Sequence, residues 1–302
     1  MKLICLITHG LGDWYPPLTI LKSIMKKRNI SDLEIYVDSI YFASPNFPLQ
    51  QETGIKMIES ITKNWIPVPP EYFGSGDWYG IPDRRLGPQY EDIKYDFLFY
   101  RLPQLQQYMN NILSQQKEKH IFLCGTGIWS YEWNGYENIP IDFSERHPLI
   151  LGIPEEKEFL DSIIKEDNIL IHMRKKGGGV SDSYFHELIT YCNSKGKKTI
   201  LLGLQNEVRI PIPENNYDLR EKLSVEGVFY LIERNKYMIT SSSVYTYHRF
   251  FFNLPTVITI MEHDVDRYHA FHKEDLENKN YIFYDSDLPH LENMKRNIDK
   301  WV

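Results

Sequence analysis

Apolar runs of four to seven residues alternate along this chain with longer amphipathic stretches, and that alternation points to β-α units built on a parallel sheet. The opening is the clearest unit. Leu3 to Thr8 reads as a buried strand, Gly10-Leu11-Gly12-Asp13 as a tight turn, and Pro17 to Lys27 as a helix with Leu18, Leu21, Ile24 and Met25 on one face. Leu33 to Val37 reads as the next strand. Phe97 to Tyr100 and His120 to Cys124 are further strand candidates, with Pro103 to Gln115 helical between them. After Pro148 to Pro154 a second series begins. Glu155 to Lys165, Ser181 to Ser194, Val225 to Arg234 and Ser243 to Phe252 read as helices, and Ile169 to Met173, Thr199 to Leu204, Tyr237 to Thr240 and Thr256 to Met261 as strands. The expected architecture is therefore two Rossmann-like α/β domains, 1–150 and 151–302.

Charge and hydropathy narrow the function classes. With 34 Lys+Arg against 41 Asp+Glu, a net charge of -7, the 302-residue chain lacks the basic profile of a generic nucleic-acid binder. No window approaches the roughly 20 apolar residues that span a bilayer, so a membrane contact would be peripheral. The apolar stretch at the N-terminus is too short for a signal-peptide core, and three scattered cysteines (Cys5, Cys124, Cys192) fit buried thiols in a reducing compartment; both imply a cytoplasmic protein.

Trp65 to Asp92 has a different character. Pro67, Pro69, Pro70, Gly74, Gly76, Gly80, Pro82, Gly87 and Pro88 exclude a long helix or a central strand. The same insertion carries Trp65, Tyr72, Phe73, Trp78, Tyr79 and Tyr90 beside Arg84 and Arg85, and a second aromatic cluster follows at Trp129, Tyr131, Trp133 and Tyr136. Aromatic faces near polar groups suit sugar rings or stacked bases. A proline-stapled loop packing its aromatics on its own domain explains the same residues.

Several loops carry candidate chemistry. Gly10-Leu11-Gly12 after a first strand invites a dinucleotide reading with Asp38 on the ribose, but Tyr15 stands where that fingerprint needs its third glycine. Asp13 lies at the carboxyl edge of the sheet, where open α/β proteins place ligands, and there it can serve as general base; an N-cap for a helix starting near Pro16 fits its spacing equally. His172, Arg174, Lys175 and Lys176 lead into Gly177-Gly178-Gly179 just past a strand, a combination of cations and close-approach glycines suited to a diphosphate. Ser241-Ser242-Ser243 follows another strand and would bring hydroxyls to the same anion, or simply cap a helix. Asp264-Val265-Asp266 and Asp285-Ser286-Asp287, with His263, His269 and His272, read as solvated polar loops rather than a metal site.

Taken together, these halves resemble the GT-B glycosyltransferases, especially the ADP-heptose:lipopolysaccharide heptosyltransferase-like family. The strand, Gly-x-Gly-Asp and helix of Leu3 to Lys27, the Leu202-Gly203-Leu204-Gln205-Asn206-Glu207 segment and the Leu223 to Thr240 helix and strand are similar to that family's segments in the same order. Ser241-Ser242-Ser243-Val244-Tyr245 stands where the family carries Asn-Asp-Ser/Thr-Gly-Pro. A second resemblance is to fucosyltransferases with His-x-Arg-Arg, through His172-Met173-Arg174-Lys175 and Ser242-Ser243 ahead of Arg249. The resemblance implies two domains facing across a cleft and a metal-independent transfer of sugar from a nucleotide diphosphate, a co-substrate rather than a cofactor, to a hydroxyl on a glycan or glycolipid. Asp13 would be base. His172, Arg174, Lys175, Glu207 and Ser241 to Ser243 would hold the donor, and Gly10, Gly12, Trp78, Tyr79, Arg84 and Arg85 the acceptor. A Rossmann-type oxidoreductase and a catalytically inactive sugar- or nucleotide-binding protein of the same fold are the alternatives. The net charge argues against a nucleic-acid acceptor without closing that possibility.

Overall fold

The computed structural model describes residues 1–8, 10–38, 48–69, 72, 102–126, 129–131, 133, 135–164, 168–172, 181–205, 209–260, 279–283 and 287–301. The chain divides into two compact units, Met1–Ile141 and Asp142–Val302. Among the described residues no helix is long and apolar enough to cross a membrane.

In the first unit, β1 (Lys2–Ile7), β2 (Asp32–Asp38), β3 (Trp65–Val68), β4 (His120–Thr126) and β5 (Trp129–Tyr131) form one sheet in the order β3-β2-β1-β4-β5. Every pairing is parallel except β4 with β5. β1 is central, and from Leu3 to Ile7 it is wholly buried, as an unbroken apolar run in a sheet covered on both faces must be. Trp65–Val68 takes the edge, the place where Pro67 removes no ladder donor that a neighbour needs. The helices are α1 (Leu11–Lys27), α2 (Pro48–Glu59) and α3 (Leu102–Ser114). From α3, Leu105, Met109 and Leu113 pack on Ile4, Leu6, Tyr36 and Phe122. α2 is an element the sequence reading lacks; its Gly54 lies so close to α1 that a Cβ there would stand 2.9 Å from Trp14 Cζ3.

The second unit holds β6 (Ile169–His172), β7 (Thr199–Leu201), β8 (Tyr217–Asp218), β9 (Tyr237–Ser241), β10 (Thr256–Ile260) and β11 (Lys279–Phe283) in the order β11-β10-β9-β6-β7-β8, all parallel. Period-two alternation feeds two cores at once. Ile169, Ile171, Leu201 and Ile239 face α5 (Asp182–Ser194) and α8 (Asp287–Asp299), while Leu170, Ile200 and Met238 face α4 (Lys157–Ile164) and α6 (Val225–Arg234). Side-chain caps start two of these helices: Ser181 Oγ accepts from Tyr184 N, and Ser224 Oγ from Gly227 N. A second bond locks α6 in place, because Glu156 accepts from both Ser224 N and Ser224 Oγ at 2.7 and 2.9 Å. β8, β11 and α8 are absent from the sequence reading. Asp287 opens α8 rather than lying in a polar loop, whereas Asp264, Asp266, Asp285 and the nearby histidines lie outside the described residues.

Candidate functional site

Each sheet has a point where the chain reverses its direction of growth, and open α/β folds bind ligands there, beyond the carboxyl ends of the strands. In the first sheet that point lies at β1, which pairs with β2 on one side and β4 on the other. The segment leaving it differs from the tight turn expected at Gly10–Asp13. Gly10 is the N-cap and α1 begins at Leu11, with Asp13 N and Trp14 N donating to Gly10 O at 2.7 and 3.1 Å. Asp13 is therefore not the cap but a half-buried first-turn residue, where a carboxylate complements the helix dipole. Pro16 and Pro17 are helical too. Neither ring nitrogen can donate to the carbonyls of Gly12 and Asp13 four residues back, so the ladder lacks two of its four-residue bonds in this first turn. Tyr15, at the third-glycine position, is completely buried and fills the space that a dinucleotide fingerprint leaves for close helix-strand contact. Gly10 and Gly12 are half-buried at the same edge, and Asp38 ends β2.

In the second sheet the reversal falls between β6 and β9, paired with His172 opposite Thr240. His172 is 5% exposed at the carboxyl end of β6, and its ring stands edge-on to that of Tyr245 with centroids 4.7 Å apart. Tyr245 packs in turn on Phe229 of α6. Ser241 ends β9 and is 8% exposed, and Ser242 and Ser243 are half-buried ahead of the short helix α7 (Val244–Phe250). Ser243 is the N-cap without a side-chain capping bond. The turn is instead braced by a threonine: Thr246 Oγ1 donates to Ser241 O at 2.8 Å and lies 3.2 Å from Thr240 Oγ1 and 3.3 Å from Ser243 Oγ. His172 and the serine run are thus brought to one edge. Tyr245 and Thr246, which hold them, were missed; their offsets from Ser243 were a usable signal only once α7 was known to start at Val244.

Arg249, one of the residues on which the fucosyltransferase resemblance rests, is elsewhere. It is fully buried, and its guanidinium donates to Thr256 Oγ1 and to the carbonyls of Ile232, Asn235, Lys236 and Pro255. It sews the end of α6, the start of β9 and the start of β10 together at the opposite end of the sheet from Ser241. Burial lowers its pKa to about 9, so it stays charged near neutrality. Its neighbour His248 is buried against Glu233, with Nε2 to Oε1 at 3.1 Å; burial pulls the imidazole down and the carboxylate opposes that pull.

Arg209 N donates to Asp182 Oδ1 at 3.3 Å, and Gln205 Nε2 donates to Arg220 O at 3.4 Å. Arg220 grips Asp218 through Nε and Nη2, both at 2.8 Å. Arg174, Lys175, Glu207, Trp78, Tyr79, Arg84 and Arg85 lie outside the described residues. Among the described residues no three His, Cys, Asp or Glu side chains are grouped to hold a metal ion. Cys5, Cys124 and Cys192 are free and buried, as expected, with burial pushing the Cys124 and Cys192 thiols up to about 12.

Neither family profiles nor curated proteins match the chain. Solved structures do. A glycosyl transferase family 9 protein from Veillonella parvula superposes with a TM-score of 0.55 at 13% identity, over 99% of this chain and 96% of its own. E. coli ADP-heptose lipopolysaccharide heptosyltransferase II gives 0.55 at 12%, over 100% and 98%. E. coli heptosyltransferase WaaC, solved with ADP, gives 0.51 at 10%, over the whole of both chains. The fold is therefore that of the GT-B-like heptosyltransferases to which the opening motif pointed.

Proposed function

We propose that the chain is a glycosyltransferase that moves a sugar from a nucleotide diphosphate sugar to a hydroxyl acceptor without a metal. The observation that carries this reading is that the two loops suited to phosphate, the cationic one after His172 and the hydroxyl-rich Ser241–Ser243, leave adjacent strands at the switch point of the second sheet. Full-length likeness in fold to heptosyltransferases supports it. The second unit holds the donor: Arg174, Lys175 and the serine hydroxyls offset charge on the diphosphate, and Glu207 contacts the nucleotide. The first unit holds the acceptor at Gly10, Gly12, Trp78, Tyr79, Arg84 and Arg85. Asp13 takes the proton of the acceptor hydroxyl as its oxygen bonds to the anomeric carbon. The bond from that carbon to the diphosphate oxygen breaks, and the nucleotide diphosphate leaves with the electron pair.

A thermal-shift screen against nucleoside diphosphates and nucleotide sugars, in EDTA, tests the donor half. ADP is the first ligand to try, because the similar WaaC structure holds it. A ligand at 100 times its Kd stabilises the native state by about 2.7 kcal/mol. Silence with every diphosphate refutes the reading, and a shift confined to NAD(P) favours the oxidoreductase. With a donor-acceptor pair in hand, Asp13→Asn is expected to abolish transfer while leaving the donor-induced shift intact.

A further inference from the structure

A cavity of about 780 Å³ opens on the first unit, lined by Arg28, Lys119, His120, Phe122, Tyr136 and Glu137 among others. It lies at the amino ends of β1 and β4 and beside the C-cap of α1. The six residues of β1 place it about 17 Å from the carboxyl edge that carries Asp13. It is therefore separate from the candidate transfer site, and one member of the second aromatic cluster, Tyr136, lines it.

That cluster divides. Trp133 is 8% exposed, donates Nε1–H to Asn110 Oδ1 at 2.7 Å and packs edge-on against Phe122, so it belongs to the core. Tyr136 packs on the same core, edge-on to Phe122 with centroids 5.6 Å apart, but is only half-buried and lines the cavity from a turn closed by Tyr136 N to Trp133 O at 2.9 Å. Gly135 occupies the third position of that turn at φ 85, a value that side-chain-bearing residues resist. The tyrosine hydroxyl is fixed by a short relay. Glu118 O can only accept, so His120 Nδ1 donates to it at 3.0 Å; in the neutral imidazole Nε2 then accepts from Tyr136 Oη at 3.0 Å. The phenol oxygen keeps its lone pairs for a ligand hydroxyl. Across the mouth, Arg28 and Glu137 form a two-pronged pair at 2.7 and 2.8 Å. Two of the five guanidinium N–H groups are consumed there, which leaves three donors beside carboxylate acceptors in a fixed plane.

We propose that this cavity is a binding site for a neutral oligosaccharide. Its volume suits a ligand of two or three sugar rings. Fixed donors and acceptors beside an aromatic ring match a pyranose, which offers hydroxyls around its rim and C–H groups on its face. The rim carries charges of both signs, Arg28, Lys119 and the Met1 amine against Glu118 and Glu137, so it offers a polyanion no basic patch.

The full chain is titrated with chitotriose, maltotriose and mannotriose by saturation-transfer NMR and calorimetry. At least one binds, and Arg28→Ala and Tyr136→Ala each weaken it about tenfold. Arg28→Ala removes only an exposed ion pair, so it remains informative if Tyr136→Ala fails to fold. Binding persists in Asp13→Asn and in excess ADP, which separates this site from the transferase reading. The proposal is overturned if no trisaccharide binds, if both variants bind as wild type does, if ADP displaces the sugar, or if a single-stranded oligonucleotide displaces it from Arg28 and Tyr136.

Discussion

Replacing Arg249 distinguishes a structural guanidinium from a donor-binding one. In Arg249→Met the carbonyls of Ile232, Asn235, Lys236 and Pro255 lose a charged donor that met them at 2.6 to 3.3 Å, inside a region the substituted side chain keeps dry. Pro255 O keeps a bond from Met238 N at 3.2 Å, so three carbonyls are orphaned, and at about 1 kcal/mol each at the low end they cost about 3 kcal/mol. For a unit of this size each kcal/mol moves the melting temperature by about 3 °C, giving a fall of about 9 °C by calorimetry. Arg249→Lys keeps the charge but offers three donors in place of five and is expected to fall about half as far. Donor affinity, measured below the lowered transition, stays within about twofold because Arg249 lies at the far end of the strands from Ser241. If Arg249→Lys melts like the wild type but loses donor affinity, the guanidinium serves the ligand and the placement argued here is wrong.

Four further outcomes follow from the same geometry. Gly54→Ala drives a methyl to 2.9 Å from Trp14 Cζ3 and 3.1 Å from Leu11 Cδ2, and urea unfolding should show a loss of about 1–3 kcal/mol. A neutral variant there would mean that α1 and α2 give way. Because burial raises all three thiols, a maleimide at pH 8 should label none of Cys5, Cys124 and Cys192 in the native protein and all three in urea. Bonds from the Arg220 guanidinium hold the Asp218 carboxyl below its usual range. Its folded value is thus depressed, so the stabilisation is complete above the unfolded value and is lost as pH falls through the folded one. Asp218→Asn should therefore flatten the decline in stability below about pH 4, and identical acid limbs would refute the pairing. Thr246→Val frees the Ser241–Ser243 turn at nearly constant volume; a raised donor KM with unchanged kcat is expected, and an unchanged KM would remove Thr246 from the site's support.

Apolar runs and their spacing were enough to place most strands and helices, because a strand buried on both faces must be apolar throughout and a helix packed on a sheet must be apolar on one side. β1, β6, β9 and α6 are legible for that reason. Ser181 and Ser224 announce their helices through capping chemistry that needs no partner beyond the next turn. α2 escaped because Gln50, Gln51 and Gly54 dilute its apolar face, and its helicity comes from packing on α1. β8 escaped because a two-residue strand exists only by pairing with β7.

The candidate site divides along the same line. Residue types at or just past strand ends, His172, Ser241 to Ser243 and Asp13 in the helix that follows β1, are local facts of the chain, since the end of an apolar run is visible without its neighbours. Which strand ends adjoin is not local. The order β11-β10-β9-β6-β7-β8 sets His172 beside Thr240, sixty-eight positions apart, through hydrogen bonds that no spacing rule encodes. Asp13's move from cap to first turn, and the burial of Arg249 away from the site, were decided in the same way, by which backbone groups came within reach once the sheets had closed.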